Sequence, residues 1–223
     1  MKTSARTWSR TQELVAFGNG HYGNRSEALM GRHREFDVDE ALDAALRVFW
    51  QKGYEGASYT DLTKAAGVER PALYSAFGNK EALFRRALER YYEKYMDYIP
   101  EALAMPTARE VAAHFLFSAI ALNTRYPDHM GCLGINGVLA GSDGAEPVRQ
   151  ALIDARAGGE AQLRDRFERA KTEGDLPATA DPEALAAFIL AVGHGIAVQA
   201  KAGFCRAKLE AVAEQALSTF PTA

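Results

Sequence analysis

The chain has 223 residues, of which 48% are hydrophobic and 25% are charged, and its formal net charge is −3. This composition is ordinary for a globular protein and excludes wholesale disorder. The negative net charge excludes a protein coated in positive charge, so any contact with nucleic acid must come from a local basic patch.

The residue types exclude several other classes of protein. No run of about 18 uninterrupted apolar residues occurs, so no transmembrane helix is expected. The two cysteines, Cys132 and Cys205, form no CxxC pair. This excludes a disulfide scaffold or a cysteine-rich zinc module and fits a reducing compartment. The first thirty residues lack the apolar segment of a secretory signal. We therefore expect a cytoplasmic protein with neither a cofactor nor a metal site.

Residues 1–30 show no sustained hydrophobic periodicity and are predicted to form a flexible arm. Met30 could be the natural start of the protein, which is an alternative to a native arm. Residues 1–36 carry six basic and three acidic side chains. A basic arm ahead of a domain can follow a phosphate backbone, and the alternative is a solvated tail without a role.

The next stretch predicts one helix followed by two short ones. From Asp37, apolar residues recur at steps of three and four up to Phe49, which predicts a helix that ends at Lys52 and Gly53. A short helix is predicted over residues 60–66, with Thr60 as its N-cap. Gly67 ends this helix, and a second short helix is predicted from Glu69 or Arg70 to Phe77.

The rest of the chain also predicts helices. Asn79 is expected to cap a long helix that runs from Lys80 to about Tyr98. Further helices are predicted over residues 107–125, 132–140, 146–173, 182–201 and 205–219. No segment shows the alternation of a strand, so the predicted fold class is all-α.

The segment from Thr60 to Phe84 predicts a helix-turn-helix, since two short helices flank a glycine turn. Gly67 can adopt the left-handed conformation of that turn without a penalty from a Cβ atom. Apolar residues lie where the two helices must meet: Leu62, Ala66, Val68 and Leu73. Phe49 and Trp50 of the preceding helix supply the third wall of a small core.

In such a motif the second helix enters the major groove with its N-terminus first. Arg70 could bind a guanine edge or a phosphate, and Ala72 could contact a thymine methyl group. Glu69 could accept from a cytosine amine; the alternative is a carboxylate that only stabilises the helix dipole. The candidate DNA-binding residues are Arg32, Arg34, Ser58, Thr60, Lys64, Glu69, Arg70, Pro71, Ala72, Tyr74, Ser75 and Lys80.

Residues from Gly31 to about Tyr91 resemble the TetR family of bacterial transcription regulators. The matching residues are the segment 31–37, Phe49, Gly53, Tyr54, Thr60, the segment 65–68, Leu73, Tyr74, Phe77 and the segment 79–83. The resemblance implies a homodimer that binds a palindromic operator and releases it when a small molecule binds. Two residues depart from the family pattern: Thr63 stands in place of alanine, and Ser75 in place of an aromatic residue or histidine.

The predicted organisation is a DNA-binding domain over residues 31–79 and a helical ligand-binding and dimerisation domain over residues 80–223. Residues 31–85 carry eight basic and nine acidic side chains. Binding to DNA should therefore depend on a few placed basic groups, namely Arg32, Arg34, Lys64, Arg70 and Lys80.

The two last helices are predicted to form the dimer interface, because small and apolar residues dominate them. The alternative is that both helices fill the core of a monomer. A two-fold protein would match a two-fold operator.

A cavity for a small effector is expected among the helices over residues 107–173. Apolar walls with a few polar groups are typical of small-ligand sites. The candidate ligand-binding residues are His114, Phe117, Asn123, Tyr126, Cys132, Asn136, Phe167 and His194. Cys132 could sense oxidants or electrophiles if a helix start lowers the pKa of its thiol; the alternative is a small buried apolar residue.

These features predict a ligand-responsive transcriptional regulator that binds double-stranded operator DNA and is not an enzyme. A repressor is the favoured interpretation, and the sequence does not distinguish it from an activator. The alternatives are a small all-α enzyme and a helical interaction protein whose helix-turn-helix reads no DNA. The sequence contains no HExxH, no GxSxG and no phosphate-binding glycine loop, which disfavours the enzyme.

Overall fold

Helices dominate the part of the chain that the computed structural model describes, namely residues 36–129, 131–138 and 145–223. These residues form ten α-helices and one short 3-10 helix and contain no strand, so the predicted all-α fold is confirmed. The predictions for the arm, Arg32 and Arg34 lie outside the described residues.

The first helix, α1 (Val38–Gly56), begins at an N-cap that the sequence indicates. The carboxylate of Asp37 accepts hydrogen bonds from the amides of Asp39 and Glu40. The helical conformation is interrupted at Gly53, whose φ is 73°. The helix therefore ends near the predicted position, because glycine adopts positive φ at little cost.

The second helix, α2 (Tyr59–Ala66), begins one residue earlier than predicted, and its N-cap is Ser58. The Ser58 hydroxyl accepts from the Asp61 amide, while the Asp61 carboxylate accepts from the Ser58 amide. This reciprocal capping box satisfies two backbone donors at once. The prediction of Thr60 as the N-cap was therefore wrong.

The turn after α2 and the start of the next two helices follow the predictions. Gly67 is left-handed, with φ of 67°. Helix α3 (Arg70–Phe77) has Pro71 in its first turn, and the Asn79 side chain accepts from the Ala82 amide to cap α4 (Lys80–Tyr95). Helix α4 ends at Tyr95, earlier than predicted, and a separate helix, α5 (Tyr98–Leu103), follows it. The sequence analysis missed α5.

The remaining helices lie close to their predicted ranges. They are α6 (Ala108–Asn123), α7 (Leu133–Val138), α8 (Glu146–Glu173), α9 (Pro182–Lys201) and α10 (Arg206–Ser218). A short 3-10 helix (Pro127–His129), which the sequence analysis missed, precedes α7. Helix α9 is long and apolar enough to cross a membrane by length and composition alone. In this structure it packs against α6, α8 and α10.

Two apolar cores hold the helices together. The first contains Phe49, Leu62 and Leu73, one from each of the three N-terminal helices, and continues through α4 to Leu133 and Val148. The second lies among α6, α8, α9 and α10. The described residues from Phe36 onward form one compact unit, and the domain boundary after residue 79 stays a prediction.

Polar contacts fasten α1 to distant parts of the chain. The buried indole Nε1 of Trp50 donates to the carbonyl of Gly131, at 2.7 Å. The ammonium of Lys201, at the end of α9, donates to the carbonyl of Gln51, at 2.8 Å. The end of α1 therefore contacts both the segment before α7 and the last turn of α9.

Candidate nucleic-acid interface

Helix α3 lies on the surface of the protein with one side outward. Arg70, Pro71 and Ser75 are exposed, and Ala72 and Tyr74 are half-buried. Leu73 and Phe77 on the opposite side are buried in the first core. The predicted recognition helix thus presents the candidate DNA-binding residues to solvent while its other side anchors it.

The candidate residues at and within α2 are exposed as well, but one of them is already engaged. Thr60 and Lys64 both present their side chains to solvent. The Ser58 hydroxyl donates to the Asp61 carboxylate, at 2.7 Å. Hydrogen bonds from Lys52 and Ser58 lower the pKa of Asp61 to about 2. Ser58 therefore serves the helix cap, and its predicted phosphate contact would have to compete with this bond.

Thr63, one of the two departures from the family pattern, fits without disturbing α2. Its hydroxyl donates to the Thr60 carbonyl, at 3.2 Å, so that the extra polar group is satisfied within the helix. Glu69 occupies the N-cap position of α3 and is exposed, and its side chain makes no capping hydrogen bond. Its carboxylate is therefore not committed to the backbone of α3.

Arg70 is held by two tyrosines. Its guanidinium carbon lies 4.2 Å from the centroid of the Tyr59 ring and 5.4 Å from that of Tyr74. The two rings stack with centroids 5.1 Å apart, and Arg70 Nη2 donates to the Tyr74 hydroxyl, at 3.2 Å. This hydrogen bond lowers the pKa of Tyr74. The sequence analysis predicted Arg70 and Tyr74 but missed Tyr59.

The start of α4 is tied to the same group. The backbone amide of Lys80 donates to the Tyr59 hydroxyl, at 3.0 Å. The Lys80 ammonium lies 4.6 Å from the centroid of the Tyr54 ring, and burial lowers its pKa. The amides of Lys80 and Ala82 are thus both engaged within the protein, and the phosphate contact predicted for the Lys80 ammonium stays a prediction.

Comparison with known proteins agrees with this geometry. Residues 41–87 match the family model for bacterial regulatory proteins of the tetR family, and residues 111–216 match the tetracyclin repressor-like C-terminal domain. The HTH-type transcriptional repressor ComR of Escherichia coli (strain K12) is 33% identical over 193 residues, which cover 86% of this chain and 92% of that protein. The chain belongs to the TetR family.

Solved structures of TetR regulators show the same architecture. A cysteine mutant of the TetR family regulator CifR, in complex with a 26-base-pair operator duplex, is 42% identical and has a TM-score of 0.80. The match covers 85% of this chain and all of that one. A TetR regulator from Rhodococcus sp. RHA1 is 36% identical, with a TM-score of 0.56 over 83% of this chain and all of that one. The TetR assignment therefore extends to both halves of the protein.

The described candidate ligand-binding residues of this TetR protein are distributed over both apolar cores. Tyr126 packs edge-on against Trp50, with ring centroids 6.1 Å apart, and Cys132 accepts from the Tyr91 hydroxyl, at 3.5 Å; both belong to the first core. Phe167 is buried in the second core. These candidates therefore lie in different cores, and their part in binding a ligand stays a prediction.

Three further candidates have local surroundings of their own. His114 faces Glu101, with 3.5 Å between Nε2 and the carboxylate. The side-chain amide of the buried Asn123 donates to the Ala119 carbonyl of its own helix, at 2.8 Å. Phe117 lies in an open groove of about 560 Å³ that runs along α6 and α10. The side chain of Asn136 lies outside the described residues.

His194 contacts an arginine that the sequence analysis missed. Arg156 Nη2 lies 3.0 Å from His194 Nδ1, and among the described residues Arg156 forms no ion pair. Burial and the charge of Arg156 lower the pKa of His194 to about 4. The imidazole is therefore neutral at pH 7, and its Nδ1 accepts the hydrogen bond.

The surroundings of Cys132 are rich in tyrosines, which the sequence analysis also missed. A Cβ atom added at Gly134 would lie 3.6 Å from the Tyr92 hydroxyl and 3.7 Å from Cys132 Sγ. Burial raises the pKa of Tyr92 to about 12 and raises the pKa of Tyr98 further. The run of tyrosines between residues 91 and 98 was the available signal in the sequence.

We predict that His194 makes the protein less stable in mild acid. The pKa of His194 is lowered from 6.5 to about 4 on folding, so the unfolded chain binds a proton that the folded chain rejects between these values. The contribution of the neutral His194 to the free energy of unfolding is therefore fully present above pH 6.5 and is lost as the pH falls toward 4. Urea unfolding at pH 7.5 and pH 5 should show that wild type loses about 1–2 kcal/mol more than His194→Gln, the lower figure allowing for solvent screening of the partly exposed imidazole. Equal losses in the two proteins would contradict the lowered pKa.

Proposed function

We propose that the protein is a homodimeric repressor that binds a palindromic operator through α3 and releases it when a small molecule binds to the helical part of the chain. The observation that carries this proposal is the exposed face of α3, on which Arg70 and Tyr74 are held in place on a TetR fold. A cytoplasmic, non-enzymatic role follows from the same assignment.

The outer face of α9 supports the homodimer. Phe188 and Val198 are 41% and 48% exposed although both are large and apolar. They share one helical face with small exposed residues, Ala184, Ala187, Ala191 and Gly195. A Cβ atom added at Gly195 would meet nothing within 4 Å, so no contact inside the subunit requires glycine there. A second copy of α9 could approach closely on this face. A two-fold interface uses the same surface of both subunits, so the face would pack against its own copy.

For the effector site we propose the region where α4, α7, α8 and α9 meet. Cys132 and His194 lie there, together with Tyr92 and Arg156. These side chains combine aromatic surface with a few polar groups, which suits a small molecule. Binding there would displace α4, whose first turn is bonded to α2.

The release mechanism would be a shift between two states. The two recognition helices of a dimer fit successive major grooves only when they lie about 34–36 Å apart. A tilt of α4 would change this separation and so weaken operator binding. The effector can shift the balance only by its difference in affinity for the two states.

A gel-shift assay with the DNA upstream of the protein's own gene tests the repressor proposal. We expect sequence-selective binding that weakens steeply with added salt, since phosphate contacts release counterions. Tyr74→Ala and Lys80→Ala should each weaken binding roughly fivefold to tenfold, because each removes a proposed phosphate contact and Tyr74→Ala also removes a partner of Arg70. Arg169→Ala, an exposed arginine on α8, is the matched control and should bind like wild type. Unchanged binding by both interface variants would refute the assigned contacts.

A further inference from the structure

The position of Arg70 is set by the protein before any DNA is bound. Tyr59 of α2 and Tyr74 of α3, which we call the tyrosine bracket, stack on each other. Both rings make cation–π contacts with the Arg70 guanidinium. Arg70 therefore extends from the first turn of α3 in one direction, although its side chain is exposed. A side chain that is ordered in advance loses less conformational freedom on binding.

Tyr59 is itself fixed at its far end. Its hydroxyl accepts a hydrogen bond from the backbone amide of Lys80, the first residue of α4, at 3.0 Å, and Tyr59 is half-buried. Because the amide belongs to the backbone, the anchor does not depend on the conformation of another side chain. Tyr59 thus joins three helices at the point where Arg70 leaves the protein surface.

The bracket leaves Arg70 able to read a base. A guanidinium has five N–H donors, and one of them is used by the Tyr74 hydroxyl. The remaining donors can form the bidentate pair with O6 and N7 of guanine, the commonest specific arginine contact in the major groove. The first residues of a recognition helix are those that reach base edges, and Arg70 is the first residue of α3.

We propose that the tyrosine bracket orients Arg70 toward one guanine in each operator half-site, with Tyr59 as the positioning residue of that contact. This inference rests on the proposed function, in which α3 enters the major groove. Tyr59 acts through Arg70 and needs no contact with DNA. A loss of the Tyr59 ring should therefore change which base is preferred, and not only how tightly DNA is bound.

Selection of binding sites from a randomised DNA duplex pool tests this inference and does not require a known operator. The full-length wild type should enrich guanine at one position of each half-site at least tenfold over other bases. Arg70→Lys keeps the charge but cannot form the flat bidentate pair. We expect Arg70→Lys and Tyr59→Leu to lose the preference at that position while the other positions stay unchanged.

Two controls separate positioning from folding. Tyr59→Phe keeps the ring that contacts the guanidinium and loses only the anchor at Lys80, so it should keep more of the guanine preference than Tyr59→Leu. Arg169→Ala, far from α3 in sequence, should select the same sites as wild type. Should Tyr59→Leu fail to fold, Arg70→Lys against wild type still tests the guanine contact, and Tyr59→Phe against Tyr59→His tests the ring.

The outcomes discriminate between the two proposals. A wild type that enriches no sequence would overturn the proposed function itself. Selective binding by wild type with the same guanine preference in Arg70→Lys would overturn the guanine contact. Loss of the preference in Arg70→Lys together with its retention in Tyr59→Leu would show that Tyr59 does not position Arg70.

Discussion

Replacing Val198 by glutamate should produce a folded monomer that binds the operator at least about a hundredfold more weakly than wild type. Val198 lies on the exposed apolar face of α9, and the proposed partner helix would have to bury the new charge without a counter-ion. A monomer engages one half-site, so the gain from linking two binding events is lost. Sedimentation velocity gives the oligomeric state, and fluorescence anisotropy of a labelled duplex gives the affinity.

A matched variant distinguishes the interface from a general effect of added charge. Ala155→Glu places the same group on an exposed position of α8 and should leave the dimer intact. Phe188→Glu, on the same face of α9 as Val198, should reproduce the monomer. If both α9 variants sediment as dimers, the interface lies elsewhere on the protein.

Replacing Trp50 by alanine should lower the free energy of unfolding by about 3–5 kcal/mol. Trp50 is 1% exposed, packs against Tyr91 and Tyr95, and donates a buried hydrogen bond to the carbonyl of Gly131. Alanine removes most of the apolar surface and also leaves that carbonyl without its indole donor. Urea unfolding followed by circular dichroism measures the change.

The hydrogen bond can be tested separately from the packing of the ring. Trp50→Phe keeps most of the apolar surface and removes the donor, so we expect a loss of about 1–3 kcal/mol. Arg47→Ala, an exposed substitution on the same helix, should stay within about 0.5 kcal/mol of wild type. A Trp50→Phe protein as stable as wild type would show that the bond to Gly131 contributes nothing net.

Local rules explain why the helix-turn-helix could be predicted from the sequence. The left-handed turn at Gly67, the Asn79 cap and the break at Gly53 each depend on a residue and its immediate neighbours. The wrong N-cap of α2 is also a local matter. Thr60 and Ser58 are both capping residues, and Asp61, three positions after Ser58, decides between them.

The contacts that make the interface specific were not predictable in this way. Tyr59 meets Arg70 and Tyr74 only after α2 and α3 have crossed, so no spacing in the sequence marks the three as neighbours. Arg156 and His194 are likewise joined by the packing of α8 against α9. Helical periodicity shows which faces are apolar, but it does not show which polar groups meet between helices. The distribution of the candidate ligand-binding residues over both cores could not be predicted for the same reason.

The position to which α1 is hydrogen-bonded, Gly131, accepts no residue other than glycine without strain. An added Cβ atom there would lie 3.0 Å from the Lys201 side chain and 3.1 Å from the Ala197 carbonyl, and the φ of Gly131 is +87°. The backbone thus fits into a notch on the last turns of α9, while its carbonyl receives the Trp50 indole from α1. In the proposed dimer, a shift of the paired α9 helices would move Gly131 and, through its hydrogen bond to Trp50, the end of α1. The distance between the two recognition helices would then depend on how the two α9 helices pack.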